Sequence, residues 1–205
     1  MALRDQQLFP EESLDSSYVA CPTLTRPFGC EGSSCAPDVF RYVALEDETV
    51  VTLEGDTILV SQTQSAGEYF ELTTASPHTV NADKLLYVFQ YLISRESGFP
   101  IAQDGDPSMT ELIPIDQFFY KVHIPDCTRI CIQLFVNVVA QLGTSLTFDG
   151  NDVPDECIDA GSVDGSDFCC LQIPVDEGVH TIFSSDKGFG LVVSGFVING
   201  SYAYG

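Results

Sequence analysis

Two stretches of this chain carry the same order of β-strand signals, and this repetition constrains the fold more than any other feature. Residues 43–93 and 138–198 each contain a Thr- or Ser-led alternating strand that ends in Gly. Each stretch continues with a polar loop, a Gly-led strand, an Asp-Lys turn and a closing apolar strand. A duplicated β unit favours an extended surface made by repeated units over a single catalytic cleft. The matched segments are 49–55 with 145–150, 67–72 with 178–183, and 83–93 with 186–198.

Short alternating runs rich in Val, Tyr, Phe and Thr, separated by turn residues, predict an all-β chain. Helical signals are nearly absent, apart from a short turn near residues 114–119. We therefore predict two β-sandwich or jelly-roll-like lobes that arise from an imperfect internal repeat and are stabilised by disulfides. The predicted strands are 38–46, 49–54, 57–62, 67–74, 78–81, 85–94, 118–124, 129–139, 144–149, 168–174, 179–184 and 188–198.

Composition divides the chain into three parts. Residues 1–37 are polar, rich in Cys, Pro and Ser, and are predicted to be an N-terminal extension or clip. Residues 38–117 are predicted to be the first β lobe with a connector that contains several Gly and Pro residues. Residues 118–205 are predicted to be the second β lobe.

The charge balance excludes two classes of partner. Thirty acidic residues against eight basic residues give a formal net charge of −22. A field of that sign repels nucleic acid and anionic lipid, so we expect neither as a partner. No stretch is long and apolar enough to span a membrane, so membrane insertion is not expected. We interpret the acidic residues as a solvated surface.

The eight cysteines, an even number, predict an oxidising extracellular compartment and a disulfide framework. Their spacing does not match a zinc site. Cys169 and Cys170 are adjacent, so in a strand they point to opposite faces and take different partners. The early cluster has three members, so at least one of them pairs outside the cluster or stays free. The candidate disulfide residues are Cys21, Cys30, Cys35, Cys127, Cys131, Cys157, Cys169 and Cys170.

An acidic segment, residues 149–167, is the one candidate for metal binding. Clustered carboxylate and amide oxygens are the ligands that calcium prefers. The helix-loop-helix calcium pattern fails because Val153 stands where an oxygen ligand is required. We expect a solvated loop pinned by Cys157, and no cofactor other than calcium is a candidate. The calcium candidates are Asp149, Asn151, Asp152 and Asp155.

Motifs for catalysis are missing from the sequence, so we predict that the protein is not an enzyme. There is no nucleophile elbow, no His-Glu-x-x-His zinc motif and no phosphate-binding glycine loop. The Gly-Asp-Pro-Ser sequence at 105–108 is interpreted as a turn that Pro107 stiffens. His180 is interpreted as a structural residue of a strand. The sequon at Asn199 is a candidate glycosylation site and fits an extracellular setting.

The order and spacing of several short segments resemble the IgGFc-binding protein N-terminal domain family over residues 38–205. That resemblance implies a secreted, non-enzymatic β domain of the kind found in mucus and cell-surface adhesive proteins. Binding to immunoglobulin Fc is not carried over, because no residue set in the sequence marks it. The segments are 42–52, 66–69, 82–84, 90–91, 105–109, 113–118, 178–182, 188–190, 194–196 and 201–205.

Two functions are compatible with these observations. The first is a structural or adhesive module, secreted or at the cell surface, that binds other extracellular proteins or copies of itself and assembles into a matrix or filaments. In that case an extended segment within residues 1–20 adds a strand to a neighbour, anchored by Leu8 and Phe9. The alternative is a recognition module for a glycan or protein, in which Tyr202 and Tyr204 stack on sugar rings.

Overall fold

The architecture is built from antiparallel strands alone. The structure, a computed structural model, describes residues 8–23, 37–92, 107–125, 133–153, 157–197 and 200–204. Within these ranges there is no α-helix, and the two short 3-10 turns are Glu11–Ser13 and Ile115–Gln117. The all-β prediction is confirmed. The strands are β1 Ser17–Ala20, β2 Asp38–Ala44, β3 Thr49–Gly55, β4 Ile58–Gln64, β5 Tyr69–Thr74, β6 His78–Ala82, β7 Leu86–Leu92, β8 Ser108–Glu111, β9 Lys121–Ile124, β10 Gln133–Gln141, β11 Leu146–Phe148, β12 Asn151–Asp152, β13 Ile158–Val163, β14 Ser166–Val175, β15 His180–Ser184, β16 Phe189–Val197 and β17 Gly200–Tyr204.

The strand order confirms two lobes that arise from a repeat. One lobe combines the sheets β1-β6-β3-β4 and β5-β2-β7-β8. The other combines β9-β15-β11-β12 with β14-β10-β16-β17, and β13 extends the latter sheet beyond β14. Each strand of the first lobe therefore has a counterpart at the same place in the second. Alternating inward side chains form one apolar core in each lobe, one centred on Tyr42 and Leu53, the other on Val136 and Ile182. Val192 of β16 also packs in the first of these cores.

One match within the predicted repeat is wrong. Residues 178–183 were matched to 67–72, which lead into β5, but β15 occupies the place of β6. The second lobe has one additional strand, β13. Matching the strands of the two lobes by their order along the chain therefore shifts the alignment by one strand. The correct match shows in the sequence as His-Thr-Val at 78–80 and His-Thr-Ile at 180–182.

The Asp-Lys turn is a device that both lobes share. In each lobe the Asp carboxylate accepts a hydrogen bond from a backbone N–H at the start of the neighbouring strand. The Lys ammonium donates to a carbonyl of the turn before that strand, so one dipeptide fixes two chain reversals. The bonds are Val50 N to Asp83 Oδ1 at 2.8 Å and Lys84 Nζ to Asp47 O in the first lobe, and Ser145 N to Asp186 Oδ1 at 3.0 Å and Lys187 Nζ to Leu142 O at 3.4 Å in the second.

The expected acidic loop at 149–167 is largely ordered β structure, so that expectation was wrong. Asp149-Gly150 forms the two-residue turn between β11 and β12, and Asp164-Gly165 forms the turn between β13 and β14. All four residues have positive φ, between 49° and 78°. Asp-Gly is the preferred pair for such a hairpin turn, because its twist matches that of the flanking strands.

The segment that precedes the first lobe is part of its sheet. β1 lies within the predicted extension, and it pairs antiparallel with β6. Directly after β1, Cys21 forms a disulfide with Cys170 of β14, with the Cα atoms 5.8 Å apart. Cys169 forms a second disulfide with Cys157, so the two adjacent cysteines take different partners. The other four cysteines lie outside the described residues.

A third apolar cluster joins the two lobes around the Cys21–Cys170 disulfide. It contains Val19 of β1 together with Ala160 and Phe168 of the β13–β14 hairpin. Gly161 of β13 has φ +96° and lies at a shift in strand register. Residues other than glycine rarely adopt this φ, so glycine is favoured where β13 shifts register beside Thr79 of the first lobe.

The disulfide between the lobes is expected to stabilise the fold more than the disulfide within the second lobe. The double variant Cys21→Ala/Cys170→Ala should lower the free energy of unfolding by about 5 kcal/mol, because the bond closes a very long loop in the unfolded chain. The cysteines are 149 residues apart in sequence.

The variant Cys157→Ala/Cys169→Ala is the matched control, since those cysteines are only 12 residues apart. The same relation gives about 3 kcal/mol for this loop. Urea unfolding of both variants measures the difference, and equal losses would contradict the expectation.

Candidate binding face

The outer face of the sheet β5-β2-β7-β8 is the most distinctive surface in the described part of the chain. Outer faces of antiparallel sandwiches are usually polar. Here β2 reads DVFRYVA and β7 reads LYVFQYL. In both strands, apolar residues stand at the positions that point into the lobe and also at the positions that point outward. The inward parity fills the core of the first lobe. The outward-pointing positions present an aromatic and aliphatic surface, in which Phe89 is buried and the other members are partly or fully exposed: Val39, Val43, Tyr69, Tyr87, Tyr91 and Met109.

Arg41 lies at the centre of this face, between two tyrosines. Its guanidinium carbon is 4.4 Å from the ring centre of Tyr69 and 5.0 Å from that of Tyr91. Glu71, directly opposite on β5, pairs with Arg41 at 2.6 Å. Cation–π contacts and an ion pair together hold the guanidinium in one orientation. We call Arg41, Tyr69, Glu71 and Tyr91 the arginine–tyrosine face.

The arginine–tyrosine face is accessible to a partner. The Tyr69 residue is 56% exposed. The side chains of Arg41 and Glu71 are 33% and 42% exposed. Tyrosine and arginine are the residue types that most often dominate the energy of protein interfaces, because each combines a large contact area with directional polar groups. The arrangement is therefore suited to binding, and its groups are already oriented before a partner arrives.

The N-terminal segment contacts the other half of the same sheet. The Phe9 N–H donates to Glu111 Oε2 at 2.8 Å, and the Tyr87 hydroxyl donates to the Phe9 carbonyl at 3.2 Å. Burial raises the pKa of Glu111 to about 6, partly offset by the bond from Phe9. Leu8 is 45% exposed. Phe9 thus contacts its own chain here, and anchoring in a partner by Leu8 and Phe9 stays a prediction.

The calcium candidates are not brought together by the described structure. The Asp149 carboxylate accepts from Thr181 N at 2.8 Å and bonds His180 Nδ1 at 2.7 Å, so both its oxygens are engaged. Asn151 and Asp152 are exposed in β12, and Asp155 lies outside the described residues. In the ranges described, no group of three or more His, Cys, Asp or Glu is placed to hold a metal. Calcium binding stays a prediction.

The remaining sequence candidates lie where the structure gives no side-chain description. Asn199 is outside the described residues, so its glycosylation stays a prediction. Tyr202 and Tyr204 belong to β17, which pairs with β16, and only their backbone is described. Residues 105 and 106 of the Gly-Asp-Pro-Ser turn are also outside the description.

His78 begins β6 and is a fully buried residue of the first lobe. The Tyr42 hydroxyl bonds His78 Nε2 at 2.5 Å, and His78 Nδ1 lies 3.2 Å from the Ser76 carbonyl. Burial lowers the pKa of His78 to about 4. The ring is therefore neutral at pH 7: Nδ1–H donates to Ser76, and Nε2 accepts from Tyr42.

His180 begins β15 and is the counterpart of His78 in the second lobe. Its Nδ1 bonds Asp149 at 2.7 Å, and its Nε2 lies 3.0 Å from the Asp176 carbonyl. The bond to Asp149 raises the pKa of His180, and the same bond lowers the pKa of Asp149. The repeat has thus placed one neutral and one chargeable imidazole at equivalent positions.

The two histidines are expected to give opposite dependence of stability on pH. The folded-state pKa of His78 is depressed, so its contribution is complete above about pH 6.5 and is lost as the pH falls towards 4, by about 3 kcal/mol. His78→Gln should therefore unfold with a smaller loss of stability between pH 7 and 4.5 than the wild type. Urea titrations across this range measure the slope, and an unchanged slope would contradict the burial argument.

For His180 the folded-state pKa is raised, so its contribution is complete below about pH 6.5 and is lost as the pH rises through the folded value. The lowered pKa of Asp149 contributes stability to the folded state above about pH 4. His180→Gln should consequently cost more stability at pH 5.5 than at pH 8. A deficit that does not change with pH would show that the ion pair does not form.

Fold and surface together define a class of protein: a two-lobed, disulfide-linked all-β module built to present a binding surface. A family model described as IgGFc binding protein matches residues 4–195, and the chain belongs to that family. The match includes β1 and Cys21, which the resemblance from residue 38 onwards had left out. No curated protein and no solved structure matches the chain.

Membership of the family confirms the general class of function. It is a family of non-enzymatic binding domains that are typically extracellular, and it indicates a module for binding or adhesion. In the part of the chain that the structure describes, no helix has the length and apolar character to cross a membrane.

Sequence reasoning did not find the arginine–tyrosine face. A signal was present, because the closing strand of the first repeat has aromatic residues at 87, 89 and 91 as well as apolar residues at 86, 88 and 92. Apolar residues on both parities mean that the outer face is also covered or used for contact. Arg41, on the neighbouring strand β2, points to the same outer face of the sheet.

Proposed function

We propose that the protein is an extracellular protein-binding module whose contact surface is the arginine–tyrosine face. The observation that carries this proposal is the placement of Arg41 between two tyrosine rings on an accessible sheet face. Arg41 is also one of only eight basic residues in a chain of net charge −22. A partner with an acidic or aromatic contact residue finds in it an oriented cation with three neighbouring groups to pack against.

The family description supports a protein partner and names the first probe. It refers to immunoglobulin Fc. A flat sheet face of four strands suits a protein surface better than a single sugar ring, which is usually held in a recess. We therefore take a purified immunoglobulin G Fc fragment as the first candidate ligand, and a glycan array as the test of the alternative.

Loss of either central side chain is expected to weaken binding strongly. Tyr69→Ala and Arg41→Ala should each raise the Kd for immobilised Fc by about thirtyfold, because truncating a central interface residue costs about 2 kcal/mol. Surface plasmon resonance with the full chain measures this change.

Tyr120→Ala is the matched control, since Tyr120 is 57% exposed and lies outside the face. Its Kd should stay within about twofold of the wild type. Binding that is equally weakened in all three variants, or in none, would contradict the assignment of this face. Failure of the wild type to bind Fc, combined with glycan binding that Tyr69→Ala abolishes, would replace the protein partner with a glycan.

Self-assembly into a matrix or filaments is the second candidate function. It is favoured by a separate observation, an exposed and uncharged strand at one edge of the first lobe. In this function the module is structural or adhesive, and its partner is another copy of the same chain.

A further inference from the structure

The strand β4 ends its sheet, and within the described chain its only strand partner is β3. One side of β4 therefore carries backbone N–H and C=O groups that none of the described strands pairs with. Proteins usually protect such an edge with charged residues, proline or a bulge, because an open edge invites another strand. β4 reads ILVSQTQ over seven residues and has none of these features. Leu59, at 81% exposure, projects from it.

The other terminal strands in the described sheets differ from β4. β5 contains Glu71, β9 contains Lys121, and β13 contains Asp159. β12 is only two residues long and includes an aspartate. β1 is uncharged, but three of its four residues are buried. β8 contains a glutamate, and the uncharged terminal strand β17 lies beside it, so each covers part of the other's edge. β4 alone among these combines length, exposure and the absence of charge.

Charge indicates what kind of strand can pair with β4. No charged residue occurs between Asp56 and Glu68, although the chain carries a net charge of −22. A basic strand would leave its positive charges unpaired beside β4, because β4 has no carboxylate. An uncharged strand would leave no charge unpaired. A second copy of the chain supplies such a strand, and contact at β4 keeps its acidic residues away from those of the first copy.

We propose that two copies of the chain pair through β4, antiparallel across a two-fold axis at Ser61. Such pairing is isologous, so the contact closes after two copies. With Ser61 opposite itself, Leu59 faces Thr63 of the second copy and Val60 faces Gln62. Each pair contains one β-branched residue, Thr63 or Val60, and neither pair contains a charge. The two four-stranded sheets then join into one sheet of eight strands.

The dimer has a consequence for binding. β4 belongs to the sheet β1-β6-β3-β4, whereas the arginine–tyrosine face lies on the other sheet of the same lobe. Tyr69 lines one surface recess with residues 62–64 of β4, so we expect pairing through β4 to leave free the part of the face around Arg41 and Tyr91, and the dimer presents two copies of it. Two linked sites raise the avidity for a multivalent or surface-bound partner without any new contact. This proposal concerns a closed dimer, which by itself builds no filament, and it does not rest on the identity of the ligand.

Sedimentation velocity of the full chain over a concentration series tests the proposal. The wild type is expected to form dimers, and the dimer should tighten as salt rises to about 0.15 M, because screening reduces repulsion between the acidic copies. Ser61→Asp places two carboxylates opposite each other and should weaken the dimer by at least about tenfold. Thr63→Asp, opposite Leu59 of the other copy, should also weaken it.

Thr73→Asp is the matched control, because it adds the same charge to an exposed position on the edge strand β5. It should dimerise like the wild type. Thermal melting of all three variants checks that each is folded. A wild type that stays monomeric at the highest concentration and at high salt would overturn the proposal, and so would dimers of Ser61→Asp as tight as those of the wild type.

Fc binding separates this proposal from the proposed function. Monomeric Ser61→Asp should bind soluble Fc with the affinity of the wild type, because its arginine–tyrosine face is intact. Dimerisation that persists when Tyr69→Ala no longer binds Fc would show that the two surfaces are independent. Loss of the dimer in Tyr69→Ala would instead place the self-contact on the face and refute the assignment to β4.

Discussion

The short segment from β1 to Thr23 is the part on which the rest of the structure depends, because it belongs to both lobes. β1 completes one sheet of the first lobe. Cys21 is bonded to Cys170 in the second lobe, and Thr23 N donates to the buried carboxylate of Asp38 at 2.6 Å. A disulfide surrounded by apolar side chains is protected from solvent and fixes the positions of its neighbours. The two lobes are thereby held as one body, and the surfaces on the first lobe keep a constant orientation.

Duplication explains the plan of the molecule, and the differences between the copies explain how they are joined. The Asp-Lys turns and the paired histidines keep the same places in both lobes, because each solves a local problem of chain reversal or strand entry. The additional strand β13, which forms a hairpin with β14, occurs only in the second lobe. Through Gly161 of β13 and Phe168 of β14 this hairpin packs against the first lobe, so the strand that breaks the repeat forms part of the interface. The strand β17, beside β8, and Val192 of β16 form other parts of it. The burial of His78 and the exposure of Asp149 beside His180 then give the two lobes opposite responses to acid.

Strand content and the existence of two lobes could be predicted from sequence, because alternation of side chains is a local property. The hairpins at Asp149-Gly150 and Asp164-Gly165 were also readable from their turn residues, but clustered acidic residues suggested a loop instead. β1 could not be predicted in this way. Its four residues follow a polar segment, and their burial depends on partners far along the chain. Tyr18 and Ala20 pack in the core of the first lobe, and Val19 packs in the cluster that contains Cys170. For the arginine–tyrosine face, the sequence shows only that aromatic residues occupy alternate positions of one strand. Their role becomes clear once the neighbouring strand, which places Arg41 on the same face, is known.

Electrostatics gives the two contact surfaces a common cause. Thirty acidic residues repel most approaches by another copy of the chain, and that repulsion falls off within about 8 Å at physiological salt. Close contact is therefore least costly where carboxylates are absent or already paired. β4 meets the first condition, and Glu71, bonded to Arg41, meets the second. Both surfaces belong to the first lobe but to different sheets, so one contact need not block the other. A strongly acidic module can in this way stay dispersed in solution and still form two defined contacts, each limited to a patch where the general repulsion is weakest.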